Sequence, residues 1–231
     1  MGKRIIQQAR GHGSMTYRVR KQAYRYRISY PSLEISGKAV VRELLNSPAH
    51  SAPLAKIEAG KESFFVPAAN GLYEGQEIEI NGKIGIGNIL KLKNIPQGTK
   101  IFNTEAFPGS GGKFIRSAGC SGIVMRKENG RVEVILGRRK LSLNEECRAI
   151  IGVIAGDGRE LKPIAKAGKK HHMMLARGKK WHRTSAVKMN IVDHPFGSGR
   201  GKRIKSKIAK RNAPPGAKVG HVKPRRTGVK K

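Results

Sequence analysis

The sequence predicts an all-β body carried between two extended basic arms. Two observations on the middle of the chain and one on its ends lead there: short runs alternating apolar and polar residues, closely spaced turn residues between them, and a charge excess confined to the termini.

The first hairpin is written around Asn129-Gly130. Ile123–Glu128 and Arg131–Leu136 flank a two-residue type I′ turn. Pairing Glu128 with Arg131 and Arg126 with Glu133 places opposite charges across from each other on one face, and puts Ile123, Met125, Val134 and Leu136 together on the other. Upstream, Glu77-Ile78-Glu79-Ile80 alternates before Asn81-Gly82, and Ile84 and Ile86 alternate after it. A two-residue turn there would send the isoleucines to opposite faces, so a longer loop is expected. Ser63–Val66, Ile89–Leu92 and Ala149–Ile154 are further strand-like runs bounded by Gly, Pro or Asn. Such short strands predict small barrels. Val40–Leu45, closed by Ser47-Pro48, and Leu143–Cys147 read as local helices, and the ends show no sustained period.

Charge divides the 231 residues more sharply than pattern does. The net is +33, from 48 Lys plus Arg against 15 Asp plus Glu. Residues 1–30 carry +8, 31–90 carry −2, 91–165 carry +7 and 166–231 carry +20. The middle has the balance of an ordinary soluble domain pair; the ends have that of arms that bind a polyanion. A membrane surface is a poor alternative, because the longest near-apolar run, 149–155, is broken by Gly152 and no amphipathic basic helix is present. The start, Met1 to Ile6, is basic but lacks the apolar region of a signal peptide, so a cytoplasmic chain is expected. Cys120 and Cys147 are too few for a disulfide framework and match no paired zinc spacing.

Within the N-terminal arm, Tyr17 to Tyr30 interleaves four of the five tyrosines with Arg18, Arg20, Lys21, Arg25 and Arg27. Rings of Tyr17, Tyr24 and Tyr26 can stack on unpaired bases while guanidinium groups fork onto phosphates, which predicts RNA contact. The plainer reading packs those tyrosines on the body. The Gly-rich run Phe107 to Phe114 fails as a P-loop: Phe107 stands where the first Gly is required, and Phe114 where Ser or Thr should follow Lys113. Its open amides, with Lys113 and Arg116, suit an RNA phosphate instead. In the C-terminal arm, Lys169, Lys170, His171, His172, Lys179, Lys180, Trp181, His182 and Arg183 form a second basic and aromatic stretch. No Cys or carboxylate lies near its histidines, which disfavours zinc, and Trp181 is suited to be a base platform.

Asp193 is the single acid of the last 66 residues and precedes His194 in Met189 to Gly201. A general base needs a reachable proton and an orienting carboxylate, yet adjacent side chains rarely face each other. The expected role is a turn, fixed by Pro195 and the glycines, pressed on an RNA backbone together with Arg200, Lys202 and Arg203. No catalytic residue, cofactor or metal ligand is predicted, and His194 is the sole candidate for chemistry.

Several stretches together are far more specific. Arg10-Gly11-His12-Gly13-Ser14, 92–99 (Leu-Lys-Asn-Ile-Pro-Gln-Gly-Thr), Arg116-Ser117-Ala118-Gly119, 146–152 (Glu-Cys-Arg-Ala-Ile-Ile-Gly), 166–172 (Lys-Ala-Gly-Lys-Lys-His-His), 190–197 and Ala213-Pro214-Pro215-Gly216 resemble the family of the universal large-subunit ribosomal protein two, of the archaeal and eukaryotic type, over nearly the whole chain. The resemblance implies an OB-type barrel over 31–88 and an SH3-like barrel over 89–165, flanked by extensions 1–30 and 166–231 embedded in large-subunit rRNA. It also implies roles in subunit assembly, subunit association, tRNA binding and organisation of the peptidyl-transferase region. Expected partners are that rRNA, other ribosomal proteins, the small subunit and tRNA, with Arg10 and His12 joining the RNA contacts. It carries a suspicion that His194 aids peptidyl transfer. The chain departs from the pattern at Phe196, where a second His is common, and at Ser198, where a Gly is. Rival readings are an RNA-modifying enzyme, which lacks a nucleophile or cofactor loop here, and a DNA-compacting protein, which charge alone would permit.

Overall fold

The structure, a computed structural model, describes residues 2–6, 8, 12–15, 18–179 and 181–200. Arg20–Arg177 forms one compact unit; the described residues before and after it belong to a second.

The first unit is all-β, with β1 Gly37–Leu45, β2 Leu54–Ala59, β3 Glu62–Pro67, β4 Glu77–Ile80, β5 Ile89–Lys91, β6 Lys100–Phe102, β7 Thr104–Glu105, β8 Gly112–Phe114, β9 Gly122–Glu128, β10 Arg131–Leu136, β11 Arg139–Asn144 and β12 Arg148–Ile151. Ten strands make one sheet in the order β11-β10-β9-β6-β12-β5-β4-β1-β2-β3, and β7 and β8 pair separately. In that order β1 to β4 are neighbours of one another and so are β5, β6 and β9 to β12, an arrangement consistent with an OB-type barrel followed by an SH3-like barrel. One parallel pairing, Ile80 with Ile89, joins them. Each half buries an apolar face: Leu54, Ile57, Phe64, Val66, Ile78 and Ile80 in one, Ile101, Val124, Val132, Val134 and Ile150 in the other. β12 lies between β5 and β6 and is buried along its length, so its apolar run needs no alternation.

The Asn129-Gly130 hairpin forms in the expected register, Arg131 opposite Glu128 and Glu133 opposite Arg126. Its apolar face differs. A bulge between Glu133 and Val134 re-phases the pairing, so that Val134 faces Val124 and Ile135 faces Ile123. Val124, Val132 and Val134 therefore enter the core, while Ile123 and Met125 point outward. The loop after Ile80 is long, as expected, but Ile84 and Ile86 lie in it, exposed.

Both expected helices in the body are overturned. Val40–Leu45 lies in β1, where Ala39 and Val41 are buried on one face between β2 and β4. Leu143 is a buried residue of β11, and the chain then turns because the Asn144 side chain accepts from the Glu146 amide at 2.9 Å. Among the described residues a helix, α1, spans Ala167–Ala176 in the basic extension, where no period predicts it. It buries nothing, so strong helix formers, Ala, Lys, Met and Leu, carry it rather than an apolar face.

Candidate nucleic-acid interface

The segment entering the body is pinned from several sides. A 3-10 turn, Lys21–Tyr24, buries Ala23, whose carbonyl accepts from the Ala49 amide at 3.0 Å. Ile28 bridges Phe65 on β3, and the Ser29 amide bonds the Phe65 carbonyl at 3.1 Å. These anchors sort the tyrosines. Tyr30 is core; its hydroxyl donates to the Asn103 carbonyl at 2.7 Å. Tyr26 packs on Phe65 with ring centroids 5.0 Å apart, and the Arg25 guanidinium lies 5.6 Å above it. Both rings pack on the body, Tyr30 within its core and Tyr26 half-buried on its surface. Tyr24 keeps an open ring, 50% exposed. Tyr17 lies outside the described residues, as do Arg10, Lys180, Lys202 and Arg203.

The Gly-rich run is a built loop. The Ser110 hydroxyl accepts from the Ala106 amide at 3.0 Å, and Glu105 accepts from the Gly111 amide at 3.2 Å. A Cβ on Gly112 would sit 1.9 Å from the Asn103 side chain, so only glycine fits. Lys113 is exposed beside it, and Arg116 donates to the Gly112 carbonyl at 3.2 Å.

Under that loop lies a polar cluster that sequence reasoning missed. Glu105 and Arg148 are both buried and paired at 3.0 Å. The Glu105 carboxylate also accepts from the Arg148 amide at 2.9 Å, and Arg148 donates to the Pro31 carbonyl at 2.8 Å and stands 5.0 Å over the Tyr30 ring. Burial and the Glu105 charge push the Tyr30 hydroxyl pKa well above its usual value. The signal was present: Arg148 is the one cation inside the apolar run of β12, and a cation in such a place calls for a buried partner.

In the extension, α1 exposes Lys169, His171 and His172, with Lys170 half-buried; the histidine rings meet edge-on at 5.5 Å. Within the second unit, Trp181 is half-buried with its ring 4.8 Å from that of His182; Lys179, His182, Arg183, Arg200 and His12 are exposed, and Arg18 donates to the Gly13 carbonyl at 2.6 Å.

The Asn190–Ser198 turn is closed by its own backbone. The Asn190 carbonyl accepts from the amides of Asp193, at 3.0 Å, and His194, at 3.2 Å. The Ser198 amide donates to Met189 at 3.0 Å. A Cβ on Gly197 would meet the Asn190 backbone at 2.4 Å. Asp193 is engaged by Lys3 at 3.4 Å, beside a bond from the Lys3 amide to the Val192 carbonyl at 2.7 Å. His194 is buried against Phe196, ring centroids 4.9 Å apart, and burial lowers its pKa. Its Nδ1 accepts from the Phe196 amide at 3.1 Å, which places the neutral ring's proton on Nε2 and leaves neither nitrogen free to take a proton.

One pattern runs through all of this. Among the described residues, ion pairs engage Lys3, Lys38, Arg42, Lys56, Lys91, Lys93, Arg126, Arg148 and Arg159. None engages Arg18, Arg20, Arg25, Arg27, Lys113, Arg116, Lys169, Lys170, Lys179, Arg183 or Arg200, the cations singled out for RNA. Among the described residues no cluster of His, Cys, Asp or Glu is placed to hold a metal, and no helix is long and apolar enough to cross a membrane.

Comparison with known proteins adds an independent line. Residues 85–216 match the model of the family described as Ribosomal Proteins L2, C-terminal domain. The chain is 45% identical to "Large ribosomal subunit protein uL2" of Methanococcus maripaludis, all of both chains being covered. It is 44% identical to the protein of that name from Archaeoglobus fulgidus and 43% identical to that from Methanocaldococcus jannaschii, again over the full length of each chain.

Proposed function

Because the chain belongs to the uL2 family of large ribosomal subunit proteins, and is thus a structural constituent of the ribosome, we propose that it binds large-subunit rRNA through its two basic ends and the loop surface of the body between them. The observation that carries this reading is the division of charge: the ion pairs among the described residues engage other cations, and the cations singled out above have no carboxylate partner in any of them. A cation with no protein partner gains most from a phosphate, and each phosphate neutralised releases counterions. Stacking from Tyr24 and Trp181 adds a salt-resistant part. The body supplies a rigid mount, because the Glu105–Arg148 pair ties the Gly-rich loop to the backbone at Pro31, where the N-terminal extension enters.

On this reading the chain works in the cytoplasm as part of the assembled subunit, with rRNA and neighbouring ribosomal proteins as partners and no small-molecule substrate. It supports subunit assembly, subunit association, tRNA binding and the organisation of the peptidyl-transferase region. His194 acts there through shape and through its Nε2–H, as a hydrogen-bond donor to RNA and not as a base. An RNA-modifying enzyme would need a nucleophile with a base in reach, and the one candidate ring has its lone pair engaged.

Deletion of residues 171–231 tests the division of labour. The truncated chain is expected to keep a folded body and to fail to enter large subunits in cells. Incorporation at the level of the full chain would overturn the reading.

A further inference from the structure

Three separated segments meet around Tyr24. The 3-10 turn that carries it is fastened to residues 47–50 through the bond from the Ala49 amide to the Ala23 carbonyl. Residues 116–118 are fastened to the same place, because the Ala118 amide donates to the Ser51 hydroxyl at 3.0 Å. Between them stands His50. Its ring meets Tyr24 edge-on, 5.3 Å between centroids and 88° between planes, and its Nδ1 is 2.7 Å from the Ser47 hydroxyl. Tyr24 is thus packed edge-on against a hydrogen-bonded ring while staying 50% exposed.

Arg116 completes the arrangement. Its guanidinium is half-buried and donates to the Gly112 carbonyl, and the residue stands two before Ala118, whose amide is bonded to Ser51, the neighbour of His50. Partial burial of a cation with no carboxylate is costly unless an anion arrives to pair with it. Lys21, Arg25 and Lys113, all exposed on the same three segments or their neighbours, keep the surroundings positive. A rigid exposed ring beside an unpaired guanidinium has the two functions a nucleotide needs: a platform for the base and a fork for its phosphate.

We infer that Tyr24, backed by His50 and flanked by Arg116, is a single-nucleotide site that takes one unpaired RNA base by stacking and the adjoining phosphate by charge-assisted hydrogen bonds. The inference rests on the rRNA-binding reading and narrows it to one site within the compact unit Arg20–Arg177. Both faces of the demand are local. The ring sets no base identity, since every base has a π-face, whereas a paired base has none to offer.

The test uses the full chain and its own large-subunit rRNA, with heparin as competitor, at about 0.15 and 0.5 M salt, where non-specific attraction differs most. Tyr24→Ala is expected to weaken binding about 5- to 150-fold at both salt concentrations, the range of one stacked base. Tyr24→Phe is expected to bind as the unaltered chain does, and Arg116→Gln to flatten the dependence on salt by about one phosphate contact. Melting temperatures report that each variant folds, and Phe at position 24 keeps the packing in any case. Equal binding by Tyr24→Ala and the unaltered chain, or equal losses from Tyr24→Ala and Tyr24→Phe, would overturn the stacking site and leave rRNA binding standing. An unaltered chain that prefers rRNA no more than heparin would overturn the rRNA reading itself.

Discussion

Replacing Glu105 by Ala is the sharpest structural perturbation available in the body. The carboxylate is fully buried and accepts four hydrogen bonds, three from Arg148 (amide at 2.9 Å, Nε at 3.3 Å, Nη2 at 3.0 Å) and one from Gly111 at 3.2 Å. Without it the Arg148 guanidinium stays buried with only the Pro31 and Ser32 carbonyls for partners. Removing one member of such a pair costs about 3–5 kcal/mol. Against a domain stability of about 5–15 kcal/mol, that is a loss of roughly 150- to 5,000-fold in the folding equilibrium. Urea unfolding of the full chain, followed by tryptophan-independent far-UV circular dichroism, measures it. The double variant Glu105→Leu with Arg148→Met should lose less than Glu105→Ala alone, because no charge is left stranded, even though more hydrogen bonds are gone. A loss below about 1 kcal/mol for Glu105→Ala, or simple additivity in the double variant, would refute the claim that this pair anchors the loop.

Other expectations follow from particular contacts. Val134→Ala should cost about 1.5–3 kcal/mol because the bulge turns Val134 inward, whereas Met125→Ala should stay within about 0.5 kcal/mol; equal effects in urea unfolding would mean the bulge is misplaced. Gly197→Ala should disrupt the turn around His194, since its Cβ would strike the Asn190 backbone, and leave the melting of the body unchanged because the two belong to separate units; the His194 imidazole resonances and the melting curve report the two parts. Burial first, and the Arg116 charge second, lower the His50 pKa below 6.5. The unfolded chain then binds a proton that folded His50 refuses, so stability is full above about pH 6.5 and falls as pH drops through that value toward the folded pKa. The urea midpoint should therefore decrease from pH 7.5 to 5.5, and less so in His50→Gln; an identical decrease in both would reject the assignment.

Most of the fold was legible because it is written in local chemistry. Asn129-Gly130 sets the hairpin turn, and opposed charges set its register through Glu133. The bulge was not legible. It inserts one residue, and a period-2 pattern with apolar residues at 123, 124 and 125 fits either phase until the core chooses Val124. Val40–Leu45 read as a helix because its apolar residues suit both periods; pairing with β2 and β4, which local pattern does not encode, decided for β1. α1 was invisible for the opposite reason, having propensity without periodicity. At the interface, counting charge located the arms but did not separate Tyr24 from Tyr26 and Tyr30. That separation depends on Phe65, His50 and Asn103, residues 20 to 80 positions away in the chain. His50 carried no sequence signal of its own.

The measurement that bears most directly on the whole account is ultraviolet cross-linking of native large subunits followed by peptide mapping of this chain. The account predicts RNA adducts at Tyr24 and in residues 113–116, 169–183 and 194–200, with the nearly neutral strands β1 to β4 clear. Adducts concentrated on β1 to β4, or none on the chain in intact subunits, would contradict it.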